Sequence, residues 1–271
     1  MDEHAPQLKK DADAGSFRHV PARYLWPNLL TLLALCSGIT AIRLGIEQRY
    51  ELAVGAVMFA IVLDALDGRL ARLIKGTSRF GAELDSLADF VNFGVAPAIL
   101  IYLWALNSMR PLGWIVALMH AICCALRLAR FNVALDDGTQ PAWKSAFFTG
   151  VPAPAGAALA MAPMYLGFLG LIGDGHRLVY VIGPYVALVA ILMVSRIPTY
   201  SGKTMGASIR RDLMLPILGV CALVFVLLFS YPWHVLIICT VLYFALIPFA
   251  IRSYRRRLRE DAGAESPRDF T

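Results

Sequence analysis

The chain has 271 residues, of which 58% are hydrophobic and only 16% charged. Soluble domains run to about 45–50% apolar and about 25% charged residues, and a chain of this length cannot enclose so much apolar side chain in a water-soluble core. Soluble globular, disordered, collagen-like and coiled-coil classes are excluded, which leaves an all-α, polytopic membrane helix bundle. The formal charge is +6, from 25 Lys and Arg against 19 Asp and Glu, and its distribution carries more information than its sum.

The opening stretch MDEHAPQLKKDADAG has no apolar run after its lysines, so it does not read as a cleavable signal peptide. Tyr24, Leu25 and Trp26 then form an interfacial segment ahead of the first span. Eight apolar stretches of spanning length follow, at about 29–47, 51–75, 82–107, 112–131, 150–171, 178–195, 213–230 and 232–251. A span needs roughly 20 residues, so about eight transmembrane helices with short loops use the whole length. Turn residues mark the loops at Arg110-Pro111, Gly173-Asp174-Gly175 and Tyr231-Pro232. Hydropathy shows no internal repeat of the transporter kind. The expected organisation is a tail and interfacial segment over 1–26, a membrane domain over 27–251 and a basic, disordered tail over 252–271. The five cysteines lie in apolar runs without metal-binding spacing and read as small hydrophobes; the five histidines form no cluster. His120, deep in the fourth span, reads as a structural polar residue.

The cations set the orientation. Twenty-one of the 25 fall in the two tails and alternate loops, and only Arg43, Arg49, Arg110 and Arg177 fall on the opposite side. The positive-inside rule makes the richer side cytoplasmic, and with eight spans both termini lie there. The run Arg252–Glu260 reads as a positive-inside anchor, with anionic-lipid binding as the other reading.

Four acids interrupt this pattern. Asp64 and Asp67 sit in the second apolar run, Asp85 and Asp89 in the third. Each costs about 2.5–3.5 kcal/mol at a span centre, so something must neutralise them. Spacings of three and four residues put each pair on one helix face. A short link near Lys75–Arg79 makes the two helices antiparallel neighbours, so the faces converge. Gly76 suits the end of the first helix, and Thr77 or Ser78 the cap of the next. Four inward carboxylates match two hard divalent cations, Mg²⁺ or Mn²⁺, in charge and ligand type. Plain ion pairs with Arg69, Arg72, Lys75 and Arg79, and the cation path of a transporter, are the competing readings. Gly68, Ala71 and Gly81 leave the surface beside the acids bare, so a diphosphate can approach. Arg72 offers it a bidentate fork. This combination favours a metal–diphosphate site.

The stretch from Asp64 to Asp89 reads DxxDGxxARx8GxxxDxxxD, and it resembles the signature of the CDP-alcohol phosphotransferase family. Pro27-Asn28-Leu29-Leu30-Thr31 is similar to that family's entry into the first span. NFGVAPA (92–98), LRLARFNV (126–133), FFTGVPAPA (147–155) and LMVSRIPTYSGK (192–203) look like its serine-using branch. The resemblance implies that Asp64, Asp67, Asp85 and Asp89 ligate two metals and that Asp89 is also the general base. It implies further that Gly68, Arg72 and Ser78 contact the phosphates and ribose of CDP-diacylglycerol, and Asn28 and Thr31 its cytosine side. The reaction would be a single displacement giving CMP, run by a homodimer in a bacterial cytoplasmic membrane. The partners implied are CDP-diacylglycerol, L-serine and the lipid bilayer, with no nucleic acid.

The acceptor is argued separately. L-serine brings a carboxylate, which calls for a cation near the cytoplasmic mouth of the bundle. Arg127 and Arg130 share a face at the end of the fourth span, with Asn132 nearby and Lys203 a looser candidate; the competing reading is that both arginines anchor the helix. Choline would call for an aromatic cage, and inositol or glycerol phosphate for neutral donors or a further basic cluster. Gly150, Pro152 and Pro154 open the fifth span, either as a helix start or as a wall of the acceptor pocket.

Overall fold

The computed structural model describes residues 22–74, 78–136, 147–173, 175–200 and 211–265. These residues are almost entirely helical. Helix α1 runs over Ala22–Ile46, α2 over Tyr50–Leu73 and α3 over Arg79–Asp89. A π-helical turn, Phe90–Val95, joins α3 to α4 (Ala96–Trp104), and α5 runs over Pro111–Asp136. The short helices α6 (Ala153–Ala160) and α7 (Ala162–Phe168) precede α8 (Val179–Val194), α9 (Arg211–Ser230) and α10 (Pro232–Glu265). Two three-residue strands, β1 (Phe147–Thr149) and β2 (Pro198–Tyr200), pair antiparallel with Phe148 opposite Thr199.

Among the described residues, four helical stretches are long and apolar enough to cross a bilayer: Leu25–Ile46, Arg79–Trp104, Pro111–Ala134 and Pro232–Leu258. They coincide with the first, third, fourth and eighth expected spans. The fifth, sixth and seventh positions hold the shorter apolar helices Ala153–Phe168, Val179–Val194 and Leu218–Ser230. The second holds α2, whose apolar run is broken by Asp64 and Asp67.

Small residues set the closest helix contacts. Helices α1 and α2 pack along their length through Ala34 and Ala41 on one side and Ala53, Val54, Val57 and Ala60 on the other, all buried. Side chains this small let the backbones approach, and packing and interhelical hydrogen bonds replace the hydrophobic drive that lipid does not supply. One such bond joins them, from Ser37 Oγ to Ala56 O at 2.8 Å. Around this pair, Phe93, Leu100, Leu106, Met161, Met164 and Tyr165 fill the core.

Three elements depart from a regular eight-helix reading. Directly after Asp89, the third span loosens into a π-helix, where His120 Nε2 donates to Phe93 O at 3.2 Å. Such turns cluster at functional sites, and His120, fully buried, fills the structural role expected of it. The fifth span is broken at Met161, because Pro163 has no N–H to continue α6 and instead sits in the first turn of α7. Helix α10 does not stop near 251 but continues to Glu265. The reason is local and tertiary together: no Gly or Pro interrupts the Arg-rich turns between Arg252 and Ala262, and they pack against β1. Tyr254 meets the Phe147 ring edge-on at 5.4 Å, and the Arg257 guanidinium lies 5.8 Å from the same ring. Tyr24, Leu25 and Trp26 belong to the first turns of α1, with Leu25 and Trp26 exposed.

The sheet hangs on one glycine. Gly150 has φ +79, donates from its N–H to Ile197 O at 2.8 Å, and accepts from Thr199 Oγ1 at 2.8 Å. A Cβ there would lie 2.5 Å from Met193 O and 2.8 Å from Ser195 O. Pro152 then precedes α6 and Pro154 lies in its first turn, so the Gly-Pro cluster is a helix start. Gly150→Ala combines a left-handed backbone, costing about 1–2 kcal/mol, with a clash against carbonyls. It should lower the thermal midpoint of the detergent-solubilised protein by several degrees, whereas Gly170→Ala, also left-handed (φ +68) but in open space, should lower it less.

Candidate active site

The acids converge as their spacing requires. Carboxylate oxygens of Asp64, Asp67 and Asp85 all lie within 4.8 Å of one another, and Asp89 comes within hydrogen-bonding range of Asp64. Asp67 is 3% exposed and the other three are half-buried. At that separation two unit charges repel by about 3 kcal/mol per pair, for an effective dielectric constant near 20. Among the described residues none of the four has a cation within ion-pair distance, the ion pairs being those of Glu47 with Arg43 and Arg49 on the far side. Arg69, Arg72 and Arg79 therefore do not neutralise the cluster; Lys75 lies outside the described residues. Three hard oxygen donors at this spacing, with their charge left unmatched, fit divalent cations.

Elements on three helices hold the cluster. Thr31 of α1 donates to Asp67 Oδ2 at 2.7 Å and sits 3.1 Å from Pro27 O, which ties the start of α1 to α2. Ser78 caps α3 by accepting from Gly81 N at 3.0 Å, as expected of a residue at that position. Asn28 packs over the same turn: a Cβ on Gly81 would stand 2.8 Å from Asn28 Oδ1, so Gly81 is small to let α1 approach. Gly68 differs. A Cβ there would meet nothing nearer than Arg72 Nη1 at 3.8 Å. Packing within the chain does not call for glycine at this point; an approaching ligand does.

A cavity of about 310 Å³ joins these groups, lined by Pro27, Asn28, Thr31, Asp67, Gly68, Ala71, Arg72, Ser78, Gly81, Ala82 and Asp85. All five positions expected to contact the nucleotide line it, with two of the four acids; Asp64 and Asp89 stand behind. A larger cavity of about 530 Å³, with Gln48, Tyr50, Trp104 and Asn107 in its wall, lies roughly 25 Å further along α2 at 1.5 Å rise per residue. Among the described residues it has no acidic or basic side chain in its lining, so size alone does not mark the chemistry.

The three residues expected to meet the acceptor separate in space. Arg127, 8% exposed, lies in the field of Asp64 and Asp89, with its guanidinium 5.6 Å from the Phe131 ring. Arg130 instead donates to three backbone carbonyls: Nη1 to Val194 O at 2.7 Å, and Nη2 to Ser195 O at 3.2 Å and Thr149 O at 3.3 Å. Asn132 Nδ2 donates to Ser86 Oγ at 2.9 Å, directly beside Asp85. Lys203 lies outside the described residues. The sequence reading missed Ser86, whose only signal was its place between two signature acids. It also missed Tyr243 of α10, which adjoins Arg127 and Thr199; a single tyrosine in an apolar span carries no local signal.

Residues 24–197 match the family model described as CDP-alcohol phosphatidyltransferase. The chain belongs to this family. Residues 212–248, covering most of α9 and the first half of α10, match a second model, CDP-alcohol phosphatidyltransferase 2. Among curated proteins, the phosphatidyltransferase is 41% identical over 236 residues to the CDP-diacylglycerol--serine O-phosphatidyltransferase of Mycobacterium bovis, covering 84% of this chain and 79% of that one. It is 36% identical over 174 residues to the protein of that name from Helicobacter pylori, covering 64% and 71%. The archaetidylserine synthase of Methanothermobacter thermautotrophicus is 36% identical over 188 residues, covering 67% and 72%. The phosphatidyltransferase is thus a membrane-helical transferase of phospholipid biosynthesis, with an acidic triad suited to divalent metal.

Arg130 spans three segments, so its removal should read out in stability. Arg130→Met should lower the folding free energy by about 2 kcal/mol, the worth of hydrogen bonds made by one charged group. A lowered thermal midpoint in detergent checks this.

Proposed function

We propose that the protein transfers the phosphatidyl group of CDP-diacylglycerol to L-serine, giving phosphatidylserine and CMP. The observation that carries this reading is the single cavity in which Asp67 and Asp85 face Asn28, Gly68, Arg72 and Ser78. The names of the relatives, two serine phosphatidyltransferases and an archaetidylserine synthase, support serine as the acceptor.

Asp64, Asp67, Asp85 and Asp89 hold two divalent ions, Mg²⁺ or Mn²⁺. Bound there, the ions would neutralise the donor's diphosphate and stabilise CMP as leaving group. The other steps belong to the chain. Asn28 and Thr31 bound the cytosine side of the cavity, and bare Gly68 lets the diphosphate reach α2. The Arg72 fork and the Ser78 hydroxyl bind its oxygens and the ribose. Asp89 accepts the proton of the serine hydroxyl as that oxygen attacks the phosphorus carrying diacylglycerol. The bond from this phosphorus to the bridging oxygen breaks, and its electron pair leaves on CMP. One displacement completes the transfer, and no Ser or His nucleophile is required.

Arg127 is the cation that receives the serine carboxylate. Arg130 and Asn132 border that pocket and hold its wall, through the carbonyls of α8 and β1 and through Ser86. The site opens to the cytoplasm, in a bundle of eight crossings with both termini on the cation-rich side, working as a homodimer in the cytoplasmic membrane.

The deciding measurement is CMP release from purified protein given CDP-diacylglycerol, a divalent ion and one alcohol at a time. Serine should support turnover, while choline, inositol and glycerol 3-phosphate should not. Turnover with another of these alcohols and none with serine reassigns the acceptor. Chelation should abolish release, and Mg²⁺ or Mn²⁺ should restore it. Asp89→Asn should lower kcat by about 10³-fold, the scale of general-base catalysis, while CDP-diacylglycerol still binds. Normal turnover in that variant would remove Asp89 from its role.

A further inference from the structure

Helices α1 to α3 build the whole acid cluster and the nucleotide cavity, which leaves the contribution of α9 and α10 open. Tyr243 of α10 points to one. Its hydroxyl is sealed from solvent and, among the described residues, makes no hydrogen bond. An unbonded buried hydroxyl is costly and calls for an explanation. Its neighbours supply a place for a ligand. Thr199 of β2 is 3% exposed and has committed its own proton to Gly150 O at 2.8 Å, so it makes no demand on a further acceptor. Arg127 of α5 lies within electrostatic reach of the same hydroxyl. It is buried, and among the described residues it has no carboxylate within ion-pair distance.

Two buried donors, one cationic and one neutral, thus meet from α5 and α10 beside the acid cluster. An anion with two acceptor oxygens would satisfy both. We propose that Arg127 and Tyr243 form a carboxylate subsite for the acceptor, with the guanidinium and the phenol hydroxyl each taking a carboxylate oxygen, so that α10 supplies a specificity-determining residue. The inference rests on the reading of L-serine as acceptor. Serine suits the geometry, because only two carbons separate its carboxylate from its hydroxyl. A carboxylate anchored at Arg127, which lies in the field of Asp89, therefore delivers that hydroxyl to the base. The subsite also gives the separately matched segment 212–248 a part in the reaction.

The test compares L-serine with L-serinamide, which keeps the hydroxyl and amine and lacks the carboxylate charge, in wild type and Tyr243→Phe. Loss of one hydrogen bond to a charged group should raise the serine KM roughly tenfold or more. The KM for serinamide, the KM for CDP-diacylglycerol and kcat at saturating serine should stay within about twofold of wild type. The thermal midpoint should not fall, since among the described residues the hydroxyl removed has no hydrogen-bond partner. A serine KM that does not move, serine and serinamide shifting together, or a raised CDP-diacylglycerol KM each overturns the subsite; the last would assign Tyr243 to the donor diphosphate. Should the phenylalanine variant be unstable, Arg127→Lys poses the same question: with the charge kept and the fork lost, the serine KM must rise more than that of serinamide. Wild type that releases no CMP with serine refutes the acceptor reading itself, whereas wild type that uses serine beside a Tyr243→Phe variant with an unchanged serine KM refutes only the subsite.

Discussion

Like charges held together in a medium of low dielectric constant govern this molecule. Three carboxylates within 4.8 Å and a fourth beside them are tolerable in a membrane protein only when opposite charge enters among them. Among the described residues no cation supplies it at ion-pair distance. Everything around the cluster keeps it in place, from the Thr31 bond to Asp67 and the Ser78 cap to the alanine seam between α1 and α2. The helices are set to a geometry that repels, which is the expected behaviour of a site built for cations rather than for its own stability.

The other half of the site depends on longer-range ties. Arg130 joins the end of α5 to the end of α8 and to β1, and Gly150 threads between those carbonyls in a conformation that suits glycine alone. Through β2 this network reaches α10, and through Phe147 it reaches the basic turns after Arg252. On the proposed reading the acceptor side is assembled from four separate stretches of chain, whereas the donor side needs only the first three helices. A scaffold of that kind can keep the donor chemistry constant while the acceptor wall changes.

The donor side was legible from spacing. Asp64, Asp67, Asp85 and Asp89 lie three and four residues apart, and helical periodicity turns such spacings into shared faces without help from the rest of the fold. Gly68 and Arg72 follow from the same one-dimensional rule, whereas Asn28, Thr31 and Ser78 came only with the family resemblance; all five line the cavity. The π-helical turn at Phe90–Val95, the break at Met161 and the continuation of α10 were not legible, because each is decided by what packs alongside. The targets of Arg130 lie 19 to 65 residues away, and β1 pairs with a strand about fifty residues on. No local pattern encodes either contact. Tyr243 shows the limit most clearly: in sequence it is one aromatic in an apolar span, and only the fold brings it to Arg127.

The position of Asp64 and Asp67 within α2 has a consequence for biogenesis. At about 2.5–3.5 kcal/mol for each acid at a span centre, α2 is a poor independent passenger through the insertion machinery, while α1 is long and apolar enough to cross without acids in its span. The two are joined by three residues, Glu47 to Arg49, and meet along a seam of alanines. The hairpin is thus the smallest unit that lipid accepts readily, with the polar face of α2 already turned towards Thr31. Entry of α2 into the bilayer and construction of the donor site are in this sense one event.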